Sequence, residues 1–336
     1  MRLEFKASRE QRASLRAQRA RLEQPTAALA VLGPTLPADD PAEAVACGVQ
    51  SVHPDRFVLR ARVRTRRGQW RSYALKAYAD DFCAGVWAHA QALAACREMA
   101  PGDLCLPIRY VARERLLVFP WVDGRCLSDV VEDAAPELFR RAARLTASLH
   151  RLALAPEPAT TPEQLVALVG ARCERLRRRC PEGAPVMEPL VSALAHAASA
   201  LDPAEPALVH GDLWAGHFLW SGEQLVLLDL DAFGYTDPAY DVGHFLAQAE
   251  REALVDPARA ARADLLRSCF LDAYRTAMPT VSSRNIAFYR ALTLTRKIPT
   301  LRRIEPARWP GLAAKLAGRA RAALEEMATP AGGGVW

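Results

Sequence analysis

Residues 208–241 read LVHGDLWAGHFLWSGEQLVLLDLDAFGYTDPAYD. A short apolar strand delivers His210-Gly211-Asp212. A loop follows, then a second strand, FLW, a Ser-Gly turn at 221–222, and a third strand, LVLLDL, which ends at Asp229 and Asp231. The hairpin sets Asp212 at one strand end and Asp229 at another. Carboxylates gathered at strand ends repel one another unless a cation lies between them. Magnesium takes such oxygen ligands and bridges phosphate oxygens.

Outward from this stretch, the chain changes character near residue 124. Residues 56–66 alternate apolar and basic, as a half-exposed strand does. Arg67-Gly68 make a turn and residues 70–78 return as a second strand. A helix is expected over 80–99, with strands near 105–112 and 115–121. Beyond Asp123-Gly124 the expected elements are helices, at 135–155, 162–179, 185–200, 239–252, 257–277, 283–296 and 307–327. Strands are expected there only near 207–209, 217–220 and 225–230. The fold class is α+β, with a small β-rich N-lobe and a larger, mostly helical C-lobe. The expected divisions are 1–40 (N-terminal helix and Pro/Ala-rich connector), 41–121 (nucleotide-binding N-lobe) and 122–330 (helical C-lobe with catalytic loop and substrate site).

Three acidic motifs in order carry a resemblance: His210-Gly211-Asp212, then Leu228-Asp229-Leu230-Asp231, then Asp237-Pro238-Ala239-Tyr240-Asp241-Val242. They are similar to HGDxxxxN, IDxx and DPxxDLA of the aminoglycoside phosphotransferase and choline kinase superfamily. The resemblance covers roughly residues 41–325, with its specificity in about 35 of them. It implies a two-lobed, protein-kinase-like fold and transfer of the γ-phosphate of ATP (or GTP) to a hydroxyl, with Mg2+. By the same resemblance, Asp212 accepts or orients the proton of the attacking hydroxyl. Asp229 holds magnesium, and Asp231 is a second ligand or supports the first. Asp241 bonds the catalytic-loop backbone, and His210 packs beneath that loop.

Lys76, in Tyr73-Ala74-Leu75-Lys76, resembles the strand lysine of VAIK, which pairs the α- and β-phosphates. A lysine among apolar strand residues needs an anionic partner. Its other reading is a strand-edge lysine facing water. Residues 116–124, LLVFPWVDG, resemble the linker between lobes, where backbone groups near Phe119 to Trp121 meet an adenine edge; an ordinary strand and turn reads equally well.

Three departures stand out. His217 occupies the position five after Asp212 that is normally Asn, and imidazole is a poor ligand for magnesium, so His217 contacts either the metal or phosphate. The helix over 80–99 places His89, not glutamate, where a partner for Lys76 is expected, and Glu98 lies too far along. No GxGxxG precedes the first strand, which leaves Gly48-Val49-Gln50-Ser51, with Gly48 and Ser51, as the candidate phosphate-covering loop.

The net charge is +6, carried by arginine, with lysine only at 6, 76, 297 and 315. No nucleic-acid-binding motif accompanies it. No apolar run reaches the roughly 20 residues that span a bilayer, and residues 1–24 lack a signal peptide's apolar stretch. A cytoplasmic protein follows as the expectation. Eight cysteines without a CxxC pair read as reduced core residues. The basic N-terminal helix is expected to pack on the small lobe or to mediate a homodimer. Arg172, Arg175, Arg177, Arg178 and Arg179, then Arg296, Lys297, Arg302 and Arg303, stand where a polycation-binding lobe needs carboxylates. The acceptor is therefore expected to be a neutral or anionic hydroxylated small molecule, although solvated helix faces explain most of these arginines. A catalytically inactive, nucleotide-binding scaffold is the alternative.

Overall fold

The computed structural model describes residues 7–96, 99, 102–130, 135–154 and 158–328; Glu98 lies outside them. In chain order the elements begin with α1 (Arg9–Leu22), α2 (Pro25–Leu32), β1 (Ala42–Val52), β2 (Arg56–Thr65), β3 (Trp70–Tyr78) and α3 (Phe82–Ala94). Then come β4 (Arg109–Val111), β5 (Leu116–Pro120), β6 (Arg125–Cys126), α4 (Ala135–His150), α5 (Pro162–Arg179) and α6 (Ala184–Ala198). The remainder is β7 (Ala207–Val209), β8 (Phe218–Trp220), β9 (Leu225–Leu227), β10 (Gly234–Thr236), α7 (Ala239–Val255), α8 (Ala260–Ala277), α9 (Ser283–Ile304) and α10 (Trp309–Ala328).

The chain divides into two compact units. The first runs to Gly124 and takes in Ser221–Asp231; the second comprises Arg125–Trp220 and the chain from Ala232 onward. The first is built on an antiparallel sheet of order β1-β2-β3-β5-β4. In β2 the alternation sorts the side chains: Phe57, Leu59, Ala61 and Val63 are buried, while Arg60, Arg62 and Arg64 are not. Gly68 closes the β2–β3 hairpin at φ 78°, a conformation open to glycine, and donates its N–H to Thr65 O at 2.8 Å. β9 joins this unit through Leu227, whose N–H donates to Asp103 O while its carbonyl accepts from Cys105 N.

Two expectations change here. The connector after residue 24 is a helix, α2, because Pro25 sits in its first turn and Ala28, Val31 and Leu32 are buried in the sheet's core. Residues 48–51 are not a loop. They continue β1, with Gly48 opposite Arg60 and an irregularity between Val49 and Ser51, and the chain turns at 53–55 instead. Leu15 and Leu22 of α1 share the same core, and Gln18 Nε2 donates to Glu114 O, so α1 packs on the small unit.

The second unit is helical. Every residue of α7 from 239 to 250 is buried, and Phe245 stacks on Phe270 of α8 with ring centroids 3.8 Å apart. Around Glu250, itself buried, gather Arg267, Arg290 and Arg319 at 3.4 to 3.5 Å. β7 pairs with β10, and β6 with β8. α9 runs past Pro299 to Ile304, beyond the expected end, because Ile298 and Leu301 are buried and tertiary packing outweighs the missing donor. The described cysteines are free thiols. Among the described residues no helix is long and apolar enough to cross a membrane.

Candidate active site

Lys76 lies mid-strand in β3, opposite Val58 on one side and Leu117 on the other. Apolar neighbours remove it from water, and its side chain is 9% exposed. Its Nζ donates to Asp229 Oδ1 at 2.7 Å and lies 2.8 Å from Asp231 Oδ1. Burial opposes the ammonium charge, but Asp229 and Asp231 outweigh it and hold the Lys76 pKa above its ordinary value. Burial lifts the Asp231 carboxyl despite Lys76, and the adjacent Asp229 charge adds to the lift. Tyr78, two residues along the same strand face, donates its hydroxyl to Asp231 Oδ1 at 2.7 Å. Arg56 Nε lies 3.8 Å from Asp231 Oδ2. Asp229 adopts the left-handed conformation, φ 65°, an uncommon backbone state that functional loops retain.

In the second unit, Asp212 follows β7. His244 of α7 lies with Nε2 3.1 Å from Asp212 Oδ1, and Lys297 Nζ of α9 lies 4.0 Å from the same oxygen. Arg296 Nη2 donates to His244 Nδ1 at 2.6 Å. A guanidinium only donates, so Nδ1 accepts and the His244 proton sits on Nε2, directed at Asp212. Burial and the Arg296 charge push His244 down to about 3, so it is neutral near pH 7. The protein around Asp212 works against its charge. The His244 hydrogen bond and the Lys297 charge outweigh this and hold its carboxyl well below the usual range. The Asp212 side chain nevertheless keeps 47% exposure, open to a reactant.

The loop carrying Asp212 is fixed from below. Asp241, fully buried, accepts from His210 N at 2.6 Å and Gly211 N at 2.9 Å. His150 Nε2 lies 3.1 Å from the same carboxylate, and its Nδ1 lies 2.7 Å from the Tyr274 hydroxyl. Burial disfavours the Asp241 charge, but the His150 hydrogen bond and the loop amides hold its carboxyl below the ordinary value. Gly211 has φ 80°, and an added Cβ would sit 2.1 Å from Ala232 O, so only glycine fits. His210 is buried, accepts from Asp212 N through Nδ1 at 3.3 Å and packs edge-on against Phe233. His217 Nδ1 lies 2.9 Å from Asp212 O; a carbonyl only accepts, so Nδ1 carries the proton.

The model of the phosphotransferase enzyme family matches residues 59–279, which hold Lys76, Asp212, Asp229 and Asp241. The chain belongs to the phosphotransferase enzyme family. Solved structures share its protein-kinase-like fold. Choline kinase LicA from Streptococcus pneumoniae superposes with a TM-score of 0.58 at 14% identity, over 90% of this chain and 98% of that one. A putative aminoglycoside phosphotransferase from Ralstonia eutropha gives 0.63 at 14% identity, over 88% and 97%. Amicoumacin kinase in complex with AMP-PNP, calcium and amicoumacin gives 0.55 at 17%, over 83% and 88%. No curated protein sequence matches the chain.

Within this phosphotransferase-family chain, Lys76, Asp229 and Asp231 meet in one unit, and Asp212, His210, His217 and Asp241 in the other. Gly48 and Ser51 lie in strand β1, ahead of the turn at 53–55. Phe119 is buried in β5 opposite Ala74. Trp121, just after β5, donates its backbone N–H to Ser72 O at 3.0 Å. Its indole donates to Asp123 and lies under the Arg60 guanidinium at 4.4 Å.

The sequence reasoning passed over His244, His150 and Tyr78. Two of them leave a trace. His244 stands three residues after Asp241 in an otherwise apolar helical run, and Tyr78 shares the Lys76 face by the strand period of two. His150, at the end of α4, carries no such pattern.

Proposed function

We propose that the protein is a small-molecule kinase that moves the γ-phosphoryl group of ATP or GTP onto a hydroxyl of a small acceptor, with magnesium. The observation that carries this is the buried Lys76 ammonium held between Asp229 and Asp231 in a member of a phosphotransferase family. The resemblance in fold to a kinase solved with AMP-PNP supports nucleotide use.

Two carboxylates suit magnesium, which takes one or two of them and fills its shell with phosphate oxygens and water. When bound, the ion neutralises charge on the phosphates and fixes their geometry. Asp229, with Asp231 behind it, would hold the ion, while Lys76 provides a cation for the phosphates. Asp212 receives the acceptor hydroxyl as a hydrogen-bond donor. A carboxylate with so low a pKa is a weak base. Its first task is to orient the hydroxyl, and it takes the proton late, once the bond to phosphorus has lowered the hydroxyl's own pKa. His244 and Arg296 keep Asp212 aimed and charged, and Asp241 keeps the loop in register. His217 braces the loop through the Asp212 carbonyl, because its imidazole suits magnesium poorly.

The second reading, an inactive nucleotide-binding scaffold, is favoured by His217 at the position usual for Asn. Two measurements decide. Magnesium-dependent stabilisation by AMP-PNP in a thermal melt is expected, and its absence sinks both readings. Turnover of ATP and GTP is then compared between the wild type and Asp212→Asn across a panel of hydroxylated metabolites. Turnover lost in the variant supports the kinase; equal background turnover in both leaves the scaffold.

A further inference from the structure

Four cationic side chains from three helices of the second unit bear on the surroundings of Asp212. α9 contributes Arg296 and Lys297, and α5 contributes Arg172. α7 contributes Arg251, seven residues and so about two turns beyond His244, on the same helix face. Lys297 Nζ stands 4.0 Å from Asp212 Oδ1, with its side chain only 16% exposed. Burial first, then the charges of Arg296, Arg251 and Arg172, bring Lys297 down to about 7, against the pull of Asp212.

The acidic side of this balance is thin. Asp212 is the carboxylate that acts on Lys297, and Glu252 stands beside Arg251. Glu250, the next acid on α7, is taken up by Arg267, Arg290 and Arg319. Arg251 Nε is buried without a hydrogen-bond partner. Like charges gathered around a largely buried lysine oppose its ionisation, and a buried donor left unmade adds to the cost. An arrangement of this kind is relieved when an anion enters.

We infer that the acceptor of the proposed kinase carries an oxyanion, such as a phosphate, sulfate or carboxylate, close to its reacting hydroxyl, and that Lys297 and Arg251 bind that group. The inference rests on Asp212 being the residue that receives the acceptor hydroxyl. With Lys297 beside it, the oxyanion and the hydroxyl belong to one compact molecule. A cationic amine in the same place meets repulsion from Lys297 and Arg251. Lys297 takes up a full charge as the anion arrives, so binding strengthens as the pH falls through 7.

The test uses sulfate, which stays fully ionised from pH 6 to 9, titrated calorimetrically into the full chain saturated with magnesium and AMP-PNP. Saturation keeps sulfate out of the nucleotide's phosphate positions. The wild type is expected to bind one sulfate about tenfold more tightly at pH 6 than at pH 8. Lys297→Gln and Arg251→Gln should each weaken binding at pH 6 about tenfold, while Lys297→Arg should keep the affinity and lose the pH dependence. Sulfate affinity at pH 6 that is absent in the wild type, or equal in the wild type and both glutamine variants, overturns the inference. AMP-PNP binding checks the fold of each variant; should Lys297→Gln fail it, the flat or sloping pH profile of Lys297→Arg decides. Failure of the wild type to bind AMP-PNP overturns the kinase reading itself, a separate and visible result.

Discussion

Lys76 Nζ lies 2.7 Å from Asp229 Oδ1, joining residues 153 positions apart in the chain. Such a lysine is usually looked for beside a helix glutamate. Here α3 offers Phe-Cys-Ala-Gly-Val-Trp-Ala-His-Ala-Gln-Ala-Leu-Ala, with no acid, and Asp229 and Asp231 take the lysine directly. The two aspartates need Lys76 as much as it needs them, since without it two close carboxylates repel in a partly buried site.

Lys76→Met removes that counter-charge. The variant is expected to lose about 2–3 kcal/mol of stability, less than a fully buried pair because Asp229 keeps 27% exposure. Urea denaturation measures the loss. Nucleotide affinity, read by the thermal shift with AMP-PNP, should fall at least about tenfold.

His244→Ala strips the hydrogen bond from Asp212 and leaves Arg296 Nη2 without its acceptor, while Nη1 keeps the Tyr240 hydroxyl. Turnover should fall about 10²-fold with the nucleotide KM unchanged. In the proposed kinase Asp212 must be ionised to orient the hydroxyl, and His244 helps hold its pKa down. Loss of His244 therefore moves the acid limb of the pH–rate profile to higher pH. An unmoved limb would show that His244 serves packing alone.

Asp241→Asn acts on stability through linkage. The folded-state pKa of Asp241 lies below its unfolded value. Its contribution is thus present above about pH 4 and is lost as the pH falls through the folded value. The variant should lose about 3 kcal/mol at pH 7, since it breaks a fully buried, hydrogen-bonded charge. It should also show a flatter acid arm in a plot of urea midpoint against pH.

Lys297→Gln should stabilise the protein. Lys297 falls to about 7 in the fold from 10.5, so between these values the unfolded chain binds more protons and stability rises with pH. The penalty is full below pH 7 and has vanished above 10.5. The shift, already net of the Asp212 attraction, bounds it near about 5 kcal/mol, and solvent access reduces the measured gain to about 1–2 kcal/mol. Melts at pH 6 and pH 10 give the comparison: the gain in Tm should be larger at pH 6.

The order of the three acidic motifs and the alternation of β2 and β3 were legible before any coordinates, because strand period and turn residues are local properties of the chain. So was the change near residue 124 from strands to helices. The same local rules misjudged residues 25–32, where burial against the sheet makes a helix of a proline-led segment, and residues 48–51, where pairing with β2 makes a strand of a glycine-containing one. What surrounds each functional carboxylate lay beyond them. His244 reaches Asp212, Lys76 reaches Asp231 and His150 reaches Asp241 only through folding, over separations far longer than any helical or strand repeat. The primary structure thus determined which residues are candidates for the chemistry; tertiary contacts decided their partners, and hence their charges, because pKa values follow burial and neighbouring charge in space and not position in the chain.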